Sequence, residues 1–207
     1  ARAATVATAG ETRPLVLDGA GRLYLHRYWH YERVLAARLR AMSQVVAPRT
    51  MLPDTADAAW LLDSAADLDG SQREAVERAQ DGDLLVIAGG PGAGKTRTVA
   101  HLLASLLARH GPSYRIALAA PTGKAAARLQ ESLESARAAL ALPPALASAW
   151  PGEVQTIHRL LGPIFNSSYF RHHAKNPLVI DCLVVDEASM IDLALAAKLV
   201  SALAPMS

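Results

Sequence analysis

The sequence predicts an α/β fold built on a parallel sheet, and three stretches carry that prediction. "LLVIAGGPGAGKTRTVAHLLASLLA", Leu84 to Ala108, is a short apolar run, a glycine-rich turn, and then Val99, Leu102, Leu103, Leu106 and Leu107 at helical spacing. "RIALAAPTGKAAARLQESL", from Arg115, repeats the order of strand, loop and helix. "LVIDCLVVDEASM", Leu178 to Met190, is an apolar run that stops abruptly at two acids, Asp186 and Glu187. Apolar runs of this length that alternate with helical patterns read as buried strands of a parallel sheet joined by crossover helices.

Taken in order, the chain opens with "ARAATVATAGETRP", alanine-rich with few large apolar groups and expected to be a loose tail. From Arg22 to Met42 the pattern gives a short strand and then a helix presenting Leu35, Leu39 and Met42. "APRTMLPD" breaks that helix, and a helical stretch from Asp54 to Gln80 leads into the apolar run at Leu84. The prolines of Ala138 to Glu153 read as a loop, and so does "NSSYFRHHAKNP", Asn166 to Pro177. The division expected is a small, mostly helical N-terminal region, residues 1–53, followed by an α/β domain over residues 54–207.

With 207 residues, 51% of them apolar, the chain has material for one domain of ordinary size and an appendage. No apolar run approaches about 20 residues and no secretory leader pattern is visible, so a soluble, cytoplasmic protein without a membrane partner is expected. The single cysteine, Cys182, excludes a disulfide framework and sits in an apolar run as a small hydrophobe. Net charge is only +2, but it is unevenly spread. Residues 1–50 hold eight arginines against three acids, and residues 51–83 hold nine acids against two arginines. The basic segment suits an acidic partner such as nucleic acid, although solvated faces are the more common explanation of such a distribution.

The glycine turn fits G-x-x-x-x-G-K-[ST], with Gly89, Gly94, Lys95 and Thr96 at the fixed positions. Glycines let successive backbone N–H groups point inward, and the helix start adds the positive end of its dipole, so the loop Gly89, Gly90, Pro91, Gly92, Ala93, Gly94 suits phosphate. Lys95 would reach the β- and γ-phosphates of ATP, Thr96 would hold Mg²⁺, and Arg97 follows on the first turn. A phosphate loop needs a carboxylate for the metal. Ligands of open parallel sheets bind at the carboxyl ends of strands, which brings Asp186 to the Mg²⁺ beside Thr96 and Glu187 into the position of a general base. At the third strand end, Pro121, Thr122, Gly123 and Lys124 offer a hydroxyl, an exposed backbone and a cation, a set suited to phosphate-backbone contacts. An ordinary strand-to-helix connection remains the alternative there.

"GGPGAGKTRTV", "APTGKAAARLQESL", "TIHRLLG" and "HHAKNPLVIDCLVVDEASMIDL", in this order, resemble superfamily 1 DNA helicases, and within them the RecD family of bacterial exonuclease V (RecBCD) helicase subunits. The resemblance spans about Leu15 to the end and includes the N-terminal "RLYLHRYWHYE". It implies a P-loop NTPase (RecA-like) sheet, incomplete at the C-terminus, whose second motor domain and ATP-completing arginine lie outside this sequence. A fragment of that kind would turn over ATP hardly at all. By position, Gln72 matches an adenine-reading glutamine, with an ordinary surface glutamine as the alternative. Thr122 and Lys124, and likewise Thr156 and His158, match motifs that grip single-stranded DNA; a structural role for His158 stays open. The resemblance further implies RecB and RecC as partners and 5′ to 3′ movement in repair and recombination. Tyr24, Tyr28, Trp29 and Tyr31 are open to core packing, a protein contact or base stacking. Two other functions stay in play: a nucleotide-gated interaction subunit, and a P-loop ATPase that needs no DNA.

Overall fold

The computed structural model describes residues 6–8, 13–44, 60, 68–80, 82–90 and 92–204. The N-terminal part forms a small sheet, with β1 (Val6–Thr8) parallel to β2 (Leu15–Leu17) and β2 antiparallel to β3 (Leu23–Leu25). The expectation of a loose tail is therefore corrected at residues 6–8, whose backbone groups pair along the edge that β2 leaves free. The β2–β3 turn is closed by Asp18, whose carboxylate accepts from the backbone of Ala20 and Arg22 and pairs with the Arg22 guanidinium at 2.7 Å. Helix α1 (His26–Gln44) follows at once, as the sequence predicts, and buries none of its residues completely. It packs against the last described helix, α7 (Leu193–Ser201), and Arg38 donates to the carbonyls of Leu203 and Ala204. The predicted boundary at residues 53/54 lies outside the described residues.

The larger sheet is parallel, in the order β5 (Val154–Thr156), β4 (Ile116–Ala120), β6 (Cys182–Val185). Side chains alternate across it, as the two-residue period of a strand requires. Leu118 and Ala120 join α3 (Lys95–His110) and α4 (Gly123–Leu140) in one core, with Ala100, Leu103, Leu129 and Leu133. Ala119 faces the other way, into a core with α6 (Ile157–Leu161) and α7 through Ile157, Leu161, Leu195 and Leu199. Helices thus cover both faces of the sheet, the layering expected of a parallel sheet. Helix α3 is enclosed on every side, with Ala100 through Ala108 all buried, which matches its nearly unbroken apolar run.

Two further expectations are corrected. Leu84–Ala88 forms no ladder with any described strand, and Val86 is 78% exposed. An apolar run signals only that a segment is able to be a buried strand; burial needs a backbone partner and cover on both faces, and here Leu85 packs against Val76, Leu102 and Leu106 while Leu84, Val86 and Ala88 stay exposed. Within Ala138–Glu153, the prolines do not hold the chain as loop throughout. Helix α4 continues to Leu140, and Pro144–Ala149 forms the short helix α5, with proline where its missing N–H costs nothing. Leu146 of α5 is buried against Ala104 and Leu107. The span 166–177 contains no regular strand or helix, as expected, although two isolated bridges, Pro163 with Phe170 and His173 with Asn176, tie it down.

Candidate functional site

Gly92 and Gly94 carry φ of +75° and +71°, the left-handed conformation that only glycine adopts without strain. A Cβ on Gly94 would also collide with the side-chain amide of Gln72. Gly94 is the N-cap of α3 and makes no side-chain capping bond. The loop is closed by its own lysine, because Lys95 Nζ donates to the carbonyl oxygens of Gly89 at 2.6 Å and Gly90 at 2.8 Å. Gly92 and Ala93 are exposed, as is Arg97 on the first turn of the helix. Pro91 lies outside the described residues.

Across the site, β6 ends at Val185, and the backbone N–H of Asp186 donates to Ala119 O at 3.0 Å, fixing the strand end to β4. The chain then turns sharply: Glu187 takes φ +50° and precedes a 3₁₀ helix of one turn, Ala188–Met190. A non-glycine residue in that conformation costs of order 1–3 kcal/mol and is concentrated at functional sites. Lys95, Thr96, Asp186 and Glu187 line one open cleft of about 580 Å³, together with Arg38 of α1. A lysine, a hydroxyl and two carboxylates facing one space are able to hold a polyphosphate and a hard cation, since magnesium prefers oxygen donors. Farther from the loop, Arg115 grips Asp181 through two side-chain bonds of 2.9 and 2.8 Å, holding that carboxyl at about 2. Burial pushes the Cys182 thiol up to about 11 and Tyr114 to about 12, so neither ionises near neutrality.

Gln72 is brought to the loop, but with bonds that the sequence reading missed. Asp69 and Gln72 form a capping box on α2 (Gly70–Arg78): Asp69 Oδ1 accepts from Gln72 N at 2.8 Å, and Gln72 Oε1 accepts from Asp69 N at 3.2 Å. The signal was present as Asp69-x-x-Gln72 ahead of a helical stretch. The remaining side-chain amide donor reaches Ala93 O at 3.5 Å, the outer limit of a hydrogen bond.

The residues matched to DNA contacts sit at one end of the sheet, where Ala120 is in register with Thr156. Thr122 caps α4 by accepting from Ala125 N, and Thr156 caps α6 by accepting from Arg159 N, each at 3.2 Å. Pro121 and Gly123 flank the first cap, and Lys124 is exposed on the first turn of α4. Thr156 and Gly123 line a shallow groove between β5 and α4. His158 is exposed on α6, and its ring meets Phe170 edge-on at 5.6 Å. Of the N-terminal aromatics, Tyr24, Trp29 and Tyr31 are partly buried and Tyr28 is exposed. Arg33 lies over Trp29, and Lys198 of α7 lies over Tyr31.

Comparison with known proteins agrees with this layout. The family model described as "AAA domain" matches residues 72–207. The chain is 43% identical over 192 residues to the RecBCD enzyme subunit RecD of Mycolicibacterium smegmatis, covering 89% of this chain and 33% of the relative. Identity to the RecBCD enzyme subunit RecD of Haemophilus influenzae is 44% over 138 residues, 65% of this chain and 22% of the relative. The ATP-dependent RecD2 DNA helicase of Deinococcus radiodurans is 33% identical over 190 residues, 90% of this chain and 23% of the relative. The chain thus spans about a third of the length of the RecD subunit that it matches over most of its own length. Its phosphate loop leads directly into a buried helix, and the acid pair closing a parallel strand shares the loop's cleft; with the family match over residues 72–207, the chain belongs to the AAA domain family, a nucleotide-binding family, and is homologous to RecD subunits.

Proposed function

We propose that the chain is the first motor domain, with an N-terminal docking region at residues 1–53, of an ATP-dependent 5′ to 3′ DNA helicase. This helicase works with RecB and RecC in the RecBCD exonuclease V complex, in double-strand break repair and homologous recombination. The observation that carries the reading is the common cleft of Lys95, Thr96, Asp186 and Glu187 in a chain similar to RecD subunits. The loop amides and Lys95 bind the phosphates, Lys95 exchanging the carbonyls of Gly89 and Gly90 for phosphate oxygens. The oxygen donors of Thr96 and Asp186 fit Mg²⁺, which supplies charge neutralisation on the transferring phosphoryl group. Glu187, exposed at the strand end, accepts a proton from the attacking water. Gln72, one bond from the loop, meets the adenine edge. Thr122, Lys124, Thr156 and His158 form the track for single-stranded DNA, at the ends of strands in the same sheet as β6, which leads to Asp186 and Glu187.

ATP turnover by the full-length protein, with and without single-stranded DNA, tests this reading. Turnover that rises several-fold with DNA is expected. Turnover indifferent to DNA would leave a DNA-independent ATPase, and nucleotide binding without turnover would leave a gated interaction subunit.

A further inference from the structure

The Gln72 side chain is bonded to two separate elements, the start of its own helix and the phosphate loop. Its Oε1 accepts from the backbone N–H of Asp69 at 3.2 Å, and its Nε2 reaches the carbonyl oxygen of Ala93 at 3.5 Å. The same Nε2 lies against Gly94, so close that a Cβ there would collide with it. Asp69 closes the arrangement. Its carboxylate accepts from Gln72 N at 2.8 Å and from Ser71 Oγ at 2.7 Å, and these bonds hold residue 69 extended, at φ −68° and ψ 169°, with its own N–H on the Gln72 amide oxygen.

The two bonds of the amide decide which way it faces. Turned over, it would set its NH₂ against the Asp69 N–H and its oxygen against the Ala93 oxygen, donor on donor and acceptor on acceptor. Held as it is, it keeps one lone pair on Oε1 and one hydrogen on Nε2 unused, an acceptor beside a donor. Adenine offers the complement, N6–H₂ as donor and N7 as acceptor, and a glutamine amide pairs with that edge through two bonds. Guanine offers two acceptors there, O6 and N7, so its O6 would face the fixed amide oxygen. An amide free to turn would meet O6 with its NH₂ instead. We infer that Asp69 is a positioning residue for base selectivity: through the capping box it locks the Gln72 amide in the orientation that pairs with adenine and repels guanine. This inference rests on reading Gln72 as the residue that meets the base.

The experiment displaces a ribose-labelled fluorescent ADP from the full-length protein with ADP, GDP or pyrophosphate in the presence of Mg²⁺. The parent should prefer ADP to GDP by about tenfold or more. Asp69→Ala should cut that preference by about fivefold or more, chiefly through weaker ADP, while pyrophosphate binds as it does to the parent. Asp69→Gly, a milder change for the helix, should do the same, and Asp69→Asn, which caps as well as aspartate, should restore the preference. Gln72→Ala should abolish it. If the alanine and glycine variants at position 69 stay folded and keep the parental preference while Gln72→Ala loses it, the inference is overturned, because the amide then orients without the box. Equal weakening of ADP and GDP in those variants would likewise overturn it and leave Asp69 a helix cap alone. A Gln72→Ala variant that still prefers ADP would strike the reading of Gln72 on which the inference rests, and a parent from which none of the three displaces the label would strike the nucleotide site itself.

Discussion

Helices α3 and α4 both follow a short apolar run and a glycine-containing turn, yet their first turns are finished differently. Helix α4 is capped by Thr122, and β4 before it is laddered to a strand on each side. Helix α3 starts at Gly94 in a left-handed conformation with no side-chain cap, and the apolar run before it pairs with no described strand. Elsewhere Asp69, Thr156 and Asp192 cap α2, α6 and α7 in the same way as Thr122. An uncapped helix start leaves its N–H groups available, and the anion that satisfies them in the proposed function is phosphate. The difference teaches that α3 is held by its own burial and not by a cap or a preceding strand, which frees its first turn for a ligand.

If burial holds α3, truncating its core should be the most damaging change. Leu103→Ala is expected to cost about 2–5 kcal/mol in urea unfolding, whereas Val86→Ser in the unladdered run should stay within about 0.5 kcal/mol. A large loss at Val86 would show that the run supports the loop after all. Gly94→Ala is next, because a side chain at φ +71° costs about 1–2 kcal/mol and also meets Gln72. Loss of stability and of nucleotide affinity together, read by thermal shift with and without ADP, is the expected result. Thr122→Ala should cost about 1 kcal/mol by removing the cap that α3 lacks, and a loss near zero would dissolve the contrast between the two helices.

The smallest effect concerns Asp181, half of the exposed pair with Arg115 at the start of β4. Its folded pKa is depressed to about 2, so its stabilisation is present above the unfolded value of 3.8 and is lost as pH falls toward 2. Asp181→Asn should therefore lower stability by less than about 1 kcal/mol at neutral pH, the discounted value for an exposed pair. The gap to the parent should close between about pH 4 and pH 2, as chemical unfolding across that range will show.

The features legible in the sequence were those set by local pattern. The glycines around Lys95, the apolar stripe of α3, the strand ending at Asp186 and the helix carrying Leu35, Leu39 and Met42 all announce themselves within a few residues. What escaped depends on partners distant in sequence. Nothing in "LLVIA" tells whether a strand will lie beside it, and nothing in Val6–Thr8 names β2 as a neighbour. Proline breaks a helix interior but is favoured at a first helical turn, so Pro144 alone does not distinguish loop from helix start. Phe165 and Tyr169 lie in a stretch without periodicity, and only the anchored backbone around them reveals how far they project.

The central claim is that Lys95 serves the transferring phosphate, although in the unliganded loop it bonds to Gly89 and Gly90. DNA-stimulated ATP turnover by full-length Lys95→Ala tests it most directly, beside thermal unfolding of the same variant. Turnover should fall more than about tenfold, a loss above roughly 1.4 kcal/mol in the transition state, with the unfolding midpoint little changed. A variant that kept more than about a tenth of the parental rate while folded would contradict the assignment and, with it, the reading of this cleft as the motor's nucleotide site.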